Sequence, residues 1–187
     1  MKKTLKLFFF SVVCIMALAT IASCDKDNAG AGTSTSGSES TARYVDLGFP
    51  SGTIWKTVNE TNPNDEYNFY TYDEAKAAFG GQLPTQEQFR ELLSLCTYTW
   101  DNVKKGVNFV STINGKSIFL PAAGSRDCGG GSVEAVGSWG YYWSSSTELY
   151  DSRSKCYLRF FPGSTGVNGN VNACEGCAGF SVRLVLE

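Results

Sequence analysis

Two helix-start signals stand close together in the chain, and they limit what it can fold into. Thr71-x-x-Glu74 is a capping box, in which the threonine hydroxyl and the glutamate carboxylate each satisfy an orphan backbone N–H. It opens a helix over 72–79 that stops at Gly80-Gly81. Pro84-Thr85-x-x-Gln88 opens a second, with Phe89, Leu92, Leu93 and Cys96 on one face at i, i+3, i+4 and i+7. That stripe reads as core, with Cys96 as a buried hydrophobe within it.

Outside this stretch, residues 43–187 break into short β-rich runs. Tyr44 to Gly48 and Thr53 to Val58 read as strands joined by a Pro50-Ser51-Gly52 turn. Val107 to Leu120 reads as a hairpin around Asn114-Gly115, because a two-residue type I′ turn needs positive φ at both positions. Further strands are expected at Tyr141 to Ser145, Lys155 to Phe161 and Phe180 to Leu186. In the last, Phe180, Val182, Leu184 and Leu186 alternate with Ser181, Arg183 and Val185. Gly-, Ser- and Asn-rich segments at 124–140, 146–154 and 162–179 read as loops, long enough to be functional. The expected class is α+β: two short helices, an antiparallel sheet and long C-terminal loops.

Residues 1–42 have no part in that core. Lys2, Lys3 and Lys6 precede an apolar stretch from Leu7 to Leu18, the pattern of a secretory signal over residues 1–23. Ile21-Ala22-Ser23-Cys24 resembles the lipobox of bacterial lipoproteins, which implies lipidation of Cys24. Residues 24–42 then read as the lipidated cysteine and a flexible linker of Gly, Ser, Thr and Ala. Its last fifteen residues span roughly 20 Å at about 5–6 Å per square root of residue number. The domain proper runs from 43 to 187.

The chain contains no histidine, which removes Ser-His-Asp and Cys-His catalysis and His-ligated zinc together. A net charge of −2 with a pI near 5.3 argues against a nucleic-acid partner. Five cysteines lie in the domain, at 96, 128, 156, 174 and 177. In an exported protein Cys128, Cys156, Cys174 and Cys177 are candidates for disulfides, and the odd number leaves a thiol over. Cys174-x-x-Cys177 has no second such pair, no histidine and no βαβ context, so neither metal nor cofactor is expected. Gly129-Gly130-Gly131 lacks the lysine of a phosphate-binding loop. Asp127, Glu134, Glu148, Asp151 and Glu175 supply carboxylates to the loop-rich third, but no spacing singles out a catalytic pair.

Aromatic and arginine side chains carry the stronger signal. Tyr, Trp and Arg dominate binding hot spots because they combine rigid contact area with hydrogen bonding. Tyr142 and Trp143 fall in a block that reads as structural, whereas Trp139, Tyr141, Tyr150, Arg153 and Arg159 are candidates for an exposed surface.

A resemblance runs through the domain. Tyr44-Val45-Asp46-Leu47-Gly48-Phe49-Pro50-Ser51-Gly52-Thr53-x-Trp55 is similar to the opening of the Fibrobacter succinogenes major paralogous domain, common in Bacteroidetes lipoproteins. Leu83-Pro84-Thr85, Cys96 to Trp100, Ile118 to Gly124, Gly140 to Ser145 and Gly179 to Arg183 follow in the same order. The family resembles the C-type lectin fold, in the variant shared with formylglycine-generating enzymes, which implies a small mixed domain with loops displaying a binding surface. The lectin calcium motifs are absent, Trp143 being followed by Ser144-Ser145, and Val58 stands where many members carry cysteine.

The C-terminal third also resembles the variable segment of retroelement-diversified proteins, which ends near a Gly-Phe-Ser-Val-Arg strand. Asp127, Cys128, Ser152, Arg153, Cys156, Asn168, Asn170, Asn172, Ala173, Cys174 and Cys177 are all products that adenine-directed change of an AAC codon permits. The ligand-binding set expected from these readings is Asp127, Trp139, Tyr141, Tyr150, Arg153, Arg159, Asn168, Asn170, Asn172 and Glu175. The chain thus reads as a lipoprotein of the outer membrane or cell surface, tethered through Cys24, whose domain binds a protein or glycan without being an enzyme. An extracellular enzyme working through loop carboxylates and a purely structural envelope protein are the alternatives.

Overall fold

The computed structural model describes residues 43–164 and 166–186. The expected signal segment, Cys24 and the linker lie outside the described residues. Strands β1 (Tyr44–Asp46) and β2 (Ile54–Lys56) pair antiparallel, as their turn signal implies. Helices α1 (Tyr72–Phe79) and α2 (Gln86–Leu95) both carry reciprocal capping boxes, with Thr71 N and Thr85 N each donating to the side chain three residues on at 2.8 Å. Phe89 and Leu92 are wholly buried, so the stripe on α2 is core. The helix ends one residue before Cys96, however. Cys96 is buried as the first residue of strand β3 (Cys96–Asp101), whose β-branched and aromatic Thr97, Tyr98, Thr99 and Trp100 favour a pleat over a further turn.

Strand β3 pairs with β4 (Gly106–Ser111), and β4 with β5 (Ser117–Pro121). The β4–β5 hairpin is present, but its turn differs from the two-residue type I′ expected. The loop is longer, Ser111 N bonding Lys116 O at 2.8 Å, and of Asn114 and Gly115 only the glycine has positive φ. Asn114 is held by outside bonds instead, its amide donating to Asp46 O at 3.0 Å and its N–H to Ser111 Oγ at 3.4 Å. Short strands β6 (Ser125–Arg126) and β7 (Val133–Glu134) follow, then β8 (Gly140–Thr147), β9 (Ser154–Gly163), β10 (Gly166–Glu175) and β11 (Val185–Leu186).

Two expectations about the C-terminal third need correction. Most of 162–179 is not a loop: β9 and β10 form a regular antiparallel pair from Gly163↔Gly166 to Ser154↔Glu175, and only 176–179 beyond it lies outside that pair. Nor is 180–186 one continuous strand. Only Val185–Leu186 is ladder-paired, and Phe180 through Val185 are buried at every position. Backbone bonds carry this segment past Tyr70, Tyr141, Trp143, Glu60 and Lys56 in turn. Arg183, 1% exposed, tolerates this because its guanidinium reaches Lys56 O (2.9 Å), Phe119 O (3.0 Å) and Asn59 Oδ1 (2.6 and 2.9 Å).

The fold is therefore α+β, two short helices with small antiparallel sheets ordered β1-β2-β11, β3-β4-β5, β10-β9-β8 and β6-β7. The β10-β9-β8 sheet separates two cores. Tyr142, Leu158 and Phe160 face a cluster built on Trp55, Phe89, Leu92, Phe109 and Leu120. Trp143 and Tyr157 face the other way, into a cluster with Tyr70, Tyr72, Leu83, Phe180 and Val182. Among the described residues no helix is long and apolar enough to cross a membrane.

Candidate recognition face

Alternation along a strand sends successive side chains to opposite faces, and cross-strand partners share a face. On β10, Val167 and Val171 pack against the Trp55–Phe89 core, as does Phe160 on β9, so Asn168, Asn170 and Asn172 point away from it. Their partners Phe161, Arg159 and Tyr157 on β9 share that outer face, and Tyr141 and Trp143 on β8 complete it opposite Arg159 and Tyr157. At the Trp143 end the face is covered by the second core. Towards Trp139 and Phe161 it emerges at the surface.

The aromatic side chains form a connected series across that gradient. Phe180 touches buried Trp143 at 4.3 Å between centroids and Tyr157 at 4.8 Å, and stacks on Tyr141 at 5.1 Å. Tyr141 lies parallel to Trp139 at 6.1 Å, and Trp139 stacks on Phe161 at 4.2 Å. The guanidinium of Arg159 lies over Trp139 at 5.3 Å and Phe161 at 5.8 Å. Burial raises the Tyr141 phenol above its ordinary value and Glu134 adds to this, while Arg159 and a Ser125 hydrogen bond oppose it. The phenol is thus a neutral donor at physiological pH. Beside this series Asn170 and Asn172 join their amides, Asn172 Nδ2 donating to Asn170 Oδ1 at 2.8 Å.

Six of the ten expected ligand-binding residues therefore meet on one face: Trp139, Tyr141, Arg159, Asn168, Asn170 and Asn172. Arg153 and Glu175 do not. They border a shallow depression of about 580 Å³ with Thr71, Asp73, Ser152 and Lys155, at the far end of β9 and β10. Tyr150, 93% exposed, stands on the 148–153 loop beside Leu149, 81% exposed. Asp127 lies in the turn between β6 and β7, where its carboxylate and that of Glu134 both accept from Ser132 Oγ at 3.1 and 3.4 Å. These two loop carboxylates share that one donor, and both are exposed on a short hairpin rather than set in a water-excluded cleft.

Phe161 belongs to the face although sequence reasoning did not select it. The signal was its place two residues after Arg159, on the same side of a strand. Leu149 had only an apolar residue in a polar loop to mark it.

The cysteines divide differently from the four-residue disulfide set. Cys128 and Cys177 are joined. Cys156 and Cys174 are free: the former points to the core side of β9, the latter to the outer side of β10, so adjacent strands hold them on opposite faces. Cys96 is free as well. Burial, with Glu175 nearby, pushes the Cys174 thiol up to about 11. Glu175 lies close to both Cys128 and Cys177, but the sulfurs a metal would need are consumed in the disulfide.

Comparison of the chain with protein-family models, with curated proteins and with solved structures finds no match.

Proposed function

We propose that this chain is a lipoprotein, anchored through Cys24 at the outer membrane or cell surface, whose C-type-lectin-like domain holds a protein or glycan ligand on the outer face of β8, β9 and β10. The observation that carries the reading is the convergence of Trp139, Tyr141, Arg159, Asn168, Asn170 and Asn172. A strand that only closed a core would not need three outward amides beside a stacked arginine. Rigid aromatic rings with adaptable polar groups are what recognition surfaces use. Binding rather than catalysis is favoured because Asp127 and Glu134, the loop carboxylates that share Ser132 as a donor, are both exposed to solvent.

The test is a binding screen of the full-length chain against arrayed glycans and surface proteins, repeated with Trp139→Ala and Asn170→Arg. Loss of the captured ligand at unchanged thermal stability supports the face. Retention in both variants overturns it. The gene offers a second check: a near-copy of the segment encoding roughly 125–178, differing only at adenines, would make this face a diversified one.

A further inference from the structure

Arg159 is set apart from Arg90, Arg126, Arg153 and Arg183 by what it lacks. Arg126 pairs with Asp65 at 2.8 Å, Arg153 with Asp151 at 3.4 Å, and Arg183 spends its donors on carbonyl and amide oxygens. Among the described residues no carboxylate pairs with Arg159, and its Nε is buried without a hydrogen-bond partner. Its position is fixed by rings instead, Trp139 and Phe161 lying under the guanidinium. With Nε buried, the two terminal Nη groups are the donors left free, and that end-on fork matches an oxyanion in two parallel bonds. Glu134, the acidic group that acts on neighbouring Tyr141, is exposed and forms no ion pair with Arg159.

What surrounds the fork selects the class of anion carrier. Asn170 stands directly across the strand pair from Arg159, with Asn168 and Asn172 to either side at about 7 Å intervals, two residues of strand rise. Each amide offers a donor and an acceptor together, the complement of a vicinal diol. Of the large hydrophobics exposed elsewhere (Val58, Tyr67, Val103, Ile113, Val136, Leu149, Tyr150 and Leu186), none lies on this face. The rings of this face, Trp139, Tyr141 and Phe161, lie nearly parallel and stacked on one another beneath Arg159, a flat platform that suits a sugar ring better than the apolar side chains of a peptide. We propose that, on the recognition face described above, Arg159 binds the carboxylate of an acidic saccharide whose hydroxyls are read by Asn168, Asn170 and Asn172. The inference rests on that face being the binding surface.

The experiment measures binding of the full-length chain to uronate-containing oligosaccharides, to their carboxyl-reduced counterparts, to sulfated oligosaccharides and to a poly-glutamate peptide. The expected result is uronate binding weakened roughly tenfold to a hundredfold by carboxyl reduction and equally by Arg159→Gln, the cost of one charge-assisted pair. Arg159→Lys, which keeps charge but not the fork, recovers only part of it, and thermal melts confirm that both variants fold. Binding of reduced and acidic sugars alike, untouched by Arg159→Gln, overturns the acid reading and leaves the face standing. Preference for the sulfated sugars or for poly-glutamate overturns the carboxylate or the saccharide assignment respectively. No binding to any probe overturns this inference, while the array screen with Trp139→Ala judges the face independently.

Discussion

Gly140 and Phe160 are paired across β8 and β9, and the Phe160 ring occupies the place a Cβ on residue 140 would take, 2.1 Å from its Cζ. The ring is itself wholly buried and packs on Phe109 and Tyr142. Gly140→Ala must therefore displace a core aromatic, an overpacking that costs about 1–3 kcal/mol. Denaturant unfolding should give a lower midpoint at unchanged slope; a wild-type midpoint would mean that the ring has room to move.

Arg183 offers a second stability test. Arg183→Leu removes the guanidinium donors from the buried Lys56 O and from the part-buried Phe119 O and Asn59 Oδ1. The expected loss is on the order of 3 kcal/mol or more, since each buried group left unsatisfied costs about 1–3 kcal/mol. A chemical melt within 1 kcal/mol of wild type, an order-of-magnitude threshold on the same scale, would show that water replaces the guanidinium.

The Cys128–Cys177 disulfide closes a separation of 49 residues. In the chain-entropy account a loop of that size stabilises by about 4 kcal/mol. Both cysteines are exposed, so a mild reductant reaches them in the folded state. Thermal melts with and without reductant, and of the Cys128→Ser/Cys177→Ser double variant, should show the same drop. Equal melting temperatures throughout would mean that the tie constrains nothing the fold does not already hold.

The thiol of Cys174 gives a pH signature. Its folded value, pushed up to about 11 from an ordinary 9.0, keeps it protonated where an exposed thiol has already ionised. Alkylation at Cys174 should accelerate about tenfold per pH unit until close to 11, because the thiolate is the nucleophile. The linkage has a matching sign: the raised value contributes stability below pH 9 that is lost as pH rises towards 11. An alkylation rate that levels off near pH 9 would contradict the burial.

Both helices, the first strand pair and the outline of β8 and β9 were legible because their signals are local: two capping boxes, a Pro-Ser-Gly turn and runs of aromatic residues. Strand β10 was missed for a physical reason. Asn and Gly disfavour strands, and 166–175 is rich in both, so composition outweighed the period-two placing of Val167, Gly169, Val171 and Ala173 against Asn168, Asn170 and Asn172. Gly169 is there for packing: a Cβ would stand 2.7 Å from Leu93 Cδ2 on α2. That contact is long-range and leaves no trace in the neighbouring residues. The burial of Arg183 was equally hidden, since its partners lie at Lys56, Asn59 and Phe119.

The grouping of the site followed the same divide. Trp139, Tyr141 and Arg159 were found by residue type, but their union with the asparagines depends on a β9–β10 register that no short motif encodes. Arg153, Tyr150, Asp127 and Glu175 share the residue types of a binding surface yet belong to other parts of the domain, because type alone does not give position.

The alternation on β10 has a consequence for how such a chain can vary over time. Its odd-numbered residues from 167 to 171 keep the strand in register against α2 and the core, and its even-numbered ones from 168 to 172 make no contribution to that packing. Substitution at the even positions is therefore nearly uncoupled from foldability. A lineage carrying this domain can change the side chains this face presents at every second residue while inheriting the same scaffold unchanged.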